Sequence, residues 1–291
     1  MRDFAIMTDS CCDLTEAEVA ESELRVVPLR FTIGGESFRD TPDHADMSLS
    51  TFYGRLRAGE QSVTAAANVA DFSDAMRAVL DEEKDVLCVL FSSALSTTYQ
   101  SACIAAGELR GEYPEAKIIV IDSLSASRGQ GMLVWGAARQ KKQGHNIDKV
   151  ADWVRSMIPH QDHWFTVDDL NHLRRGGRLN ATSAVVGTVL AIKPVMHCDD
   201  EGKLTPVGKA RGMKRAVEEL ANKLEELCDR PLWHQTVFIC HADAPETAQM
   251  LRNALLDRFG ISDVRVGYIG PVIGSHTGAG TVGVFFYGSR R

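Results

Sequence analysis

Short apolar runs alternate with amphipathic stretches through the first half of the chain. "FAIMTDS" (4–10), "DVLCVLFSS" (85–93) and "AKIIVIDS" (116–123) read as strands, and the second is apolar enough to be buried on both faces. "LRVVPLRFTIGGESF" (24–38) reads as an extended segment that turns at Gly34–Gly35. Helical spacing is seen at Leu49–Leu56, Phe72–Leu80, Tyr99–Leu109 and Met132–Lys142. Strands and helices in alternation, with continuous apolar strands, predict a parallel sheet covered on both faces. Three of the strands run into polar turns, Thr8–Ser10, Ser92–Thr98 and Asp122–Ser127. Ligands of open parallel sheets bind beyond the carboxyl ends of the strands, where such turns gather.

The pattern changes near Ile158–Pro159. "IKPVMHCDDEGKLTPVGKA" (192–210) reads as a hairpin. An amphipathic helix follows, with Val217, Leu220, Leu224 and Leu227 on one face. Next come strand "TVFICHA", a helix over Glu246–Phe259, and strands "DVRVGYIG" and "GTVGVFFYG". This succession predicts a second, mixed α/β domain, giving the division 1–158 and 159–291.

At 291 residues the chain is long enough for two cores, and 44% hydrophobic with 24% charged residues is an ordinary globular balance. The net charge of −7 provides no general basic surface for nucleic acid or an anionic membrane. "MRDFAIMTDS" has no apolar stretch of signal-sequence length, and no apolar run reaches the roughly 20 residues of a membrane span. Seven cysteines without paired C-x-x-C spacing are expected to be reduced thiols. These features together predict a cytoplasmic protein that starts at this methionine.

Common catalytic signatures are missing. The sequence holds no G-x-x-x-x-G-K-[ST] loop, "GQGMLVWG" (129–136) misses the dinucleotide spacing, and the histidines show no H-E-x-x-H pattern. No metal or cofactor is expected. A serine hydrolase built on Ser96 and His276 would lack the G-x-S-x-G elbow.

Four segments carry candidate chemistry. "FSSALSTTYQSA" (91–102) puts five hydroxyls between a buried strand and a helix start, where free N–H groups favour an anion, although capping needs only one of them. "DDLNHLRRGGRL" (168–179) places Arg174 and Arg175 before a glycine pair, which ordinary helix capping explains. "GKARGMKRAVEEL" (208–220) puts Lys209, Arg211, Lys214 and Arg215 at a helix start, against the helix dipole, so a functional reason is called for. "GPVIGSHTGAG" (270–280) sets His276 in a glycine-rich bend, able to offer ring and backbone N–H groups to a carboxylate.

In order along the chain, "TDSCCDL", Thr64 ahead of an apolar helix, "SSALSTTYQSA", "IDS", "DDLNHLRRGGRL", "IKP", "GKARG" and "GPVIGSHTGAG" resemble the DegV family. Its members are the bacterial fatty-acid-binding subunits that serve fatty acid kinase. The resemblance implies two α/β domains with a tunnel for one long acyl chain. It places the carboxylate on Thr64, Ser96 and His276, with Thr97 and Gly278 beside the pocket. It also implies a carrier rather than an enzyme: a separate ATP-using kinase phosphorylates the bound carboxylate, and the acyl phosphate enters phospholipid synthesis. Arg211, with Lys214 and Arg215, falls where the kinase would dock. The rival readings are a small-molecule hydrolase or transferase using Ser96 and His276, and a sugar- or phosphate-binding module. Two departures stand out. "TAAAN" (64–68) replaces the common T-S-Q-P-S, keeping Thr64 but losing a hydroxyl and a proline, which would loosen the head-group site. "LSTT" (95–98) puts Thr97 where L-S-G-T has glycine, which would narrow the pocket or change which acyl chain fits.

Overall fold

The structure is a computed structural model that describes residues 2–179, 192–228, 231–232 and 235–289. Its first sheet is wholly parallel and has the order β2-β1-β6-β7, formed by β1 (Phe4–Asp9), β2 (Arg25–Val27), β6 (Asp85–Leu90) and β7 (Ile118–Asp122). Every residue of β1 and β6 is buried, including the polar Thr8, Asp9 and Asp85 at the ends of their apolar runs. The helices of this half are α1 (Glu16–Glu21), α2 (Leu49–Arg57), α3 (Val69–Leu80), α4 (Thr98–Glu112), α5 (Ser127–Lys142) and α6 (Ile147–Met157).

A small antiparallel sheet, β4-β3-β5, consists of β3 (Arg30–Ile33), β4 (Glu36–Arg39) and β5 (Ser62–Ala65). Gly34 and Gly35 close its hairpin with φ of 59° and 83°, the two successive positive φ angles that a tight hairpin turn asks for.

The second large sheet has six strands in the order β10-β9-β8-β13-β11-β12. They are β8 (Gln161–Thr166), β9 (Ile192–Cys198), β10 (Leu204–Arg211), β11 (Val237–His241), β12 (Val264–Tyr268) and β13 (Val282–Tyr287), and only β11 and β12 pair in parallel. With them go α7 (Asn171–Arg175), α8 (Met213–Leu227), α9 (Pro245–Phe259) and α10 (Pro271–Thr277). On one face of this sheet Val217, Leu220 and Leu224 of α8 pack with Leu251 and Leu255 of α9, the apolar stripe the sequence predicts. On the other face lies α5, which also packs on β1 and β6, so one core runs from Phe4 to Phe285 through both large sheets.

Three local expectations are corrected. Helix α5 begins five residues before Met132: Ser127, Arg128, Gly129 and Gln130 form its first turn and are buried despite their polarity. Hydrogen bonds make this burial tolerable, for Gln130 Nε2 donates to Thr8 Oγ1 and Asp9 Oδ2. His276 sits on a two-turn helix, α10, rather than in a bend; Pro271 opens it and Gly278, at φ 78°, ends it. The basic cluster is split, with Lys209 and Arg211 on β10 and Lys214 and Arg215 on α8, because Gly212 at φ 84° turns the strand into the helix.

Candidate functional site

Strand β5 alternates so that Ser62 and Thr64 share one face while Val63, 65% exposed, points away. That polar face meets α10. Ser62 Oγ lies 2.7 Å from Ser275 Oγ, and Thr64 Oγ1 lies 2.8 Å from His276 Nε2, a contact between residues 212 apart in sequence. Strand β3 holds β5 in place, with Phe31 opposite Thr64.

Helix α10 is anchored at both ends. Asp13 Oδ1 accepts the N–H of Gly270 at 2.9 Å and Asp40 Oδ2 that of Val272 at 3.3 Å, while the Tyr53 hydroxyl donates to the Ile269 carbonyl at 2.7 Å. At the other end Thr281 Oγ1 donates to the carbonyls of Thr277 and Gly278, both at 3.1 Å. Glycine is required inside this helix at 274, where a Cβ would sit 2.6 Å from the Tyr53 hydroxyl oxygen.

The His276 ring lies against the backbone of Gly176, so close that a side chain there would overlap Nδ1. Arg178 completes the surroundings: its Nε donates to the Leu95 carbonyl at 3.1 Å, and its guanidinium also bonds the Gly176 carbonyl. Burial, with the positive charge of Arg178 as a second cause, pushes the imidazole down to about 4. At neutral pH the ring is therefore uncharged and hydrogen-bonded to a hydroxyl.

Ser96 belongs to the loop that Arg178 grips through Leu95. Its Oγ lies 2.8 Å from Thr98 Oγ1 and accepts the Thr98 N–H at 3.2 Å in a turn just ahead of α4, whose N-cap residue, Thr97, makes no side-chain capping hydrogen bond. Thr64 and His276 are thus joined directly, whereas Ser96 bonds neither; Arg178 links only the carbonyl of Leu95, the neighbour of Ser96, to that of Gly176, against which the His276 ring lies. Ser92 is structural: buried, it donates to the Gly202 carbonyl in the β9–β10 turn at 2.9 Å. Thr97 is exposed at φ −77°, a backbone that does not ask for glycine. Gly278 is obligatory at its φ of 78°, and a Cβ there would lie 2.5 Å from the His172 ring. Asn68, the last residue of "TAAAN", caps α3 in a capping box with Asp71, so this departure keeps a capping side chain at the helix start.

Sequence reasoning missed Arg178. The capping account covers Arg174 and Arg175, and Arg175 indeed contacts His172 within α7. Arg178 lies beyond the glycine pair, where capping no longer explains a cation, and that position was the available signal. Lys209, Arg211, Lys214 and Arg215 are all exposed, and none makes an ion pair among the described residues. The adjacent Cys11 and Cys12 are buried, which pushes both thiols well up and keeps them protonated. No helix among the described residues is long and apolar enough to cross a membrane, and no three side chains among them converge as metal ligands.

The protonation state of His276 has a measurable consequence. Its folded value of about 4 lies below the ordinary 6.5, so between these pH values the folded chain binds fewer protons than the unfolded one. This contribution to stability is present above pH 6.5 and is lost as the pH falls through 4. Asp9 and Asp13, raised by burial to about 6 and about 7, act in the opposite sense, losing stability as the pH rises through those values. In urea titrations at several pH values, His276→Gln is expected to reduce the acid-side loss and Asp13→Asn to reduce the loss toward neutrality.

The architecture is that of a two-sheet α/β protein with a hydroxyl–imidazole pair where a small third sheet meets a short helix. The chain belongs to the DegV family: the family model described as "Uncharacterised protein, DegV family" matches residues 3–289. A DegV domain-containing protein of Clostridium perfringens is 38% identical over 291 residues, covering 100% of this chain and 99% of its own. Among solved structures, one titled for fatty acid binding by a DegV family protein of Thermus thermophilus has a TM-score of 0.89 at 30% identity, covering 99% of this chain and 100% of that one. A fatty-acid-binding DegV family protein of Streptococcus agalactiae has a TM-score of 0.87 at 28% identity, with 100% of both chains covered.

Proposed function

We propose that this chain is a non-enzymatic cytoplasmic carrier that holds one long-chain fatty acid, with its carboxylate on Thr64, Ser96 and His276, and presents it to a separate kinase. The observation that carries this reading is the Thr64–His276 hydrogen bond, made by an imidazole kept neutral beside Arg178. A carboxylate needs donors, and two hydroxyls, a neutral ring and a nearby guanidinium supply them without a competing acid. The relatives from Thermus thermophilus and Streptococcus agalactiae support the ligand class. The hydrolase or transferase reading needs a base on Ser96, whose hydrogen-bond partner is Thr98 rather than His276.

The kinase step follows from the same chemistry. A carboxylate oxygen attacks the γ-phosphorus of ATP, ADP departs, and an acyl phosphate for phospholipid synthesis remains on the carrier. Arg211, Lys214 and Arg215 form the docking face: exposed, without an ion pair among the described residues, on a chain of net charge −7, they offer a local positive surface to an acidic partner.

Native mass spectrometry of protein purified without added lipid should show a retained mass equal to that of a fatty acid. Added fatty acid kinase and ATP should then phosphorylate the ligand. Arg211→Glu should retain the lipid and lower the phosphorylation rate at limiting carrier. Protein that is consistently empty and hydrolyses ester substrates would overturn the carrier reading, and a wild-type rate for Arg211→Glu would remove Arg211 from the docking face.

A further inference from the structure

A cleft of about 330 Å³ opens at the end of α10 remote from His276, between β12, the start of α1 and the segment that follows β4. Asp13, Asp40, His44, His241 and Tyr268 line it, and Gly270 forms its floor. The two carboxylates flank that glycine: a Cβ on Gly270 would be 2.9 Å from Asp13 Oδ1 and 3.1 and 3.2 Å from the oxygens of Asp40. Asp13 is fully engaged by the Ser127 hydroxyl and the Gly270 N–H. Asp40, only 3% exposed, accepts one long hydrogen bond, from Val272 to Oδ2, and its Oδ1 accepts none among the described residues. Neither carboxylate has an ion pair among the described residues; Arg128, whose charge is felt at Asp13, makes its hydrogen bonds to Glu18 and to the Asp13 carbonyl.

His241, 5% exposed, faces the same space. Its Nδ1 accepts the Ala244 N–H at 3.3 Å, so the neutral ring carries its proton on Nε2, for which the described residues provide no acceptor. The ring packs 4.2 Å from that of Tyr268, which is 40% exposed at the cleft. His44 Nδ1 is buried and has no hydrogen-bond partner among the described residues. Two adjacent buried carboxylates without an ion pair among the described residues, one with an open oxygen, beside an available N–H donor and an aromatic face, form a specific recognition pattern. A positive charge satisfies Asp40 and the Tyr268 face, and an acceptor atom a few bonds away satisfies His241. A metal ion fits less well, since no three ligands converge here among the described residues.

We infer that this cleft is a second binding site, for a small alkylammonium compound that carries a hydroxyl or similar acceptor, with the ammonium on Asp40 and the acceptor on His241. The site stands apart from the fatty acid reading and is tested without lipid or kinase. Ethanolamine, positively charged at neutral pH, is the probe; ethylene glycol is its uncharged counterpart and acetate an anion of similar size. In a ¹H–¹⁵N titration, ethanolamine should give saturable shifts at the amides of Gly270 and Val272, which the two carboxylates hold. Ethylene glycol and acetate should give none. Burial, and after it the charge of Asp13, push the Asp40 carboxyl well up, so it ionises as the ammonium binds. Asp40→Asn keeps the side-chain shape and an oxygen for Val272 but cannot ionise, and should weaken ethanolamine by at least about tenfold. If that variant does not fold, Tyr268→Leu at the exposed rim should weaken it as well, through loss of the aromatic face. Shifts that do not saturate, an equal response to ethylene glycol, or affinity unchanged in both variants would overturn the assignment.

Discussion

His276→Ala is expected to co-purify with fatty acid and yet be phosphorylated roughly a hundred times more slowly than the wild type. The tail and the head group contribute differently to binding. Each buried methylene is worth about 0.8 kcal/mol, so ten of them in a dry channel supply on the order of 8 kcal/mol before association costs. One hydrogen bond to a charged group contributes about 1.5–3 kcal/mol, a fraction of that total. Loss of His276 therefore weakens retention without abolishing it. Phosphoryl transfer is less tolerant, since misplacing the attacking oxygen by about 1 Å lowers the rate by some two orders of magnitude. His276 is one of the groups that would fix that oxygen, and its partner Thr64 is left free to rotate when the ring is gone.

Gly176→Ala provides a companion variant that leaves every ligand-facing side chain unchanged. The new methyl group would occupy the space of His276 Nδ1 and push the ring off Thr64 Oγ1. It should reproduce the kinetic defect of His276→Ala with lipid still bound. The measurement pairs a lipid titration with a phosphorylation assay on the same folded protein. Complete loss of lipid would show that the head group dominates affinity, and wild-type behaviour of both variants would remove His276 from the site.

The large sheets were legible because their strands announce themselves by apolar runs bounded by polar turns, and buried β6 has the clearest of these. Elements that position the candidate site were harder to read for a common physical reason: their inward faces are polar. In β5 the inward residues are Ser62 and Thr64, while Val63 is outside, so the alternation is inverted relative to an ordinary half-buried strand. The first turn of α5 is polar and wholly buried, so a hydrophobic count starts the helix too late. In α10 a glycine pattern suggested a bend, whereas Gly274 serves close packing against Tyr53 within a helix. His276 stands out by its glycine-rich segment, whereas Thr64 is reached only through the family resemblance. Their contact depends on a strand and a helix that periodicity alone does not show.

Arg128 accounts for the second large effect, and Arg128→Met is expected to destabilise the fold by about 3–5 kcal/mol. Its side chain is 0% exposed and makes a two-pronged contact with Glu18, at 2.9 and 2.7 Å. It also donates to the Asp13 carbonyl at 3.0 Å and lies 4.8 Å from the centre of the Phe238 ring. One cation thus joins α1, α5 and β11, and Gly267 on β12 leaves it room that any side chain would fill. Burial pushes Glu18 upward, but the hydrogen bond and charge of Arg128 outweigh it and hold the carboxyl below the usual range. This contribution is present above the unfolded glutamate value and is lost as the pH falls through the folded one. Removing Arg128 leaves a buried carboxylate with Thr15 and, at the longer distance of 3.9 Å, Arg265 as its partners. The double variant Arg128→Met with Glu18→Gln should therefore be more stable than Arg128→Met alone, because the buried charge, left with only the distant Arg265 as a cation, is gone. Urea midpoints for the wild type, both single variants and the double variant close this cycle. A loss below about 1 kcal/mol for Arg128→Met, the range of an exposed pair, would show that solvent reaches the bridge and that it does not hold the two sheets together.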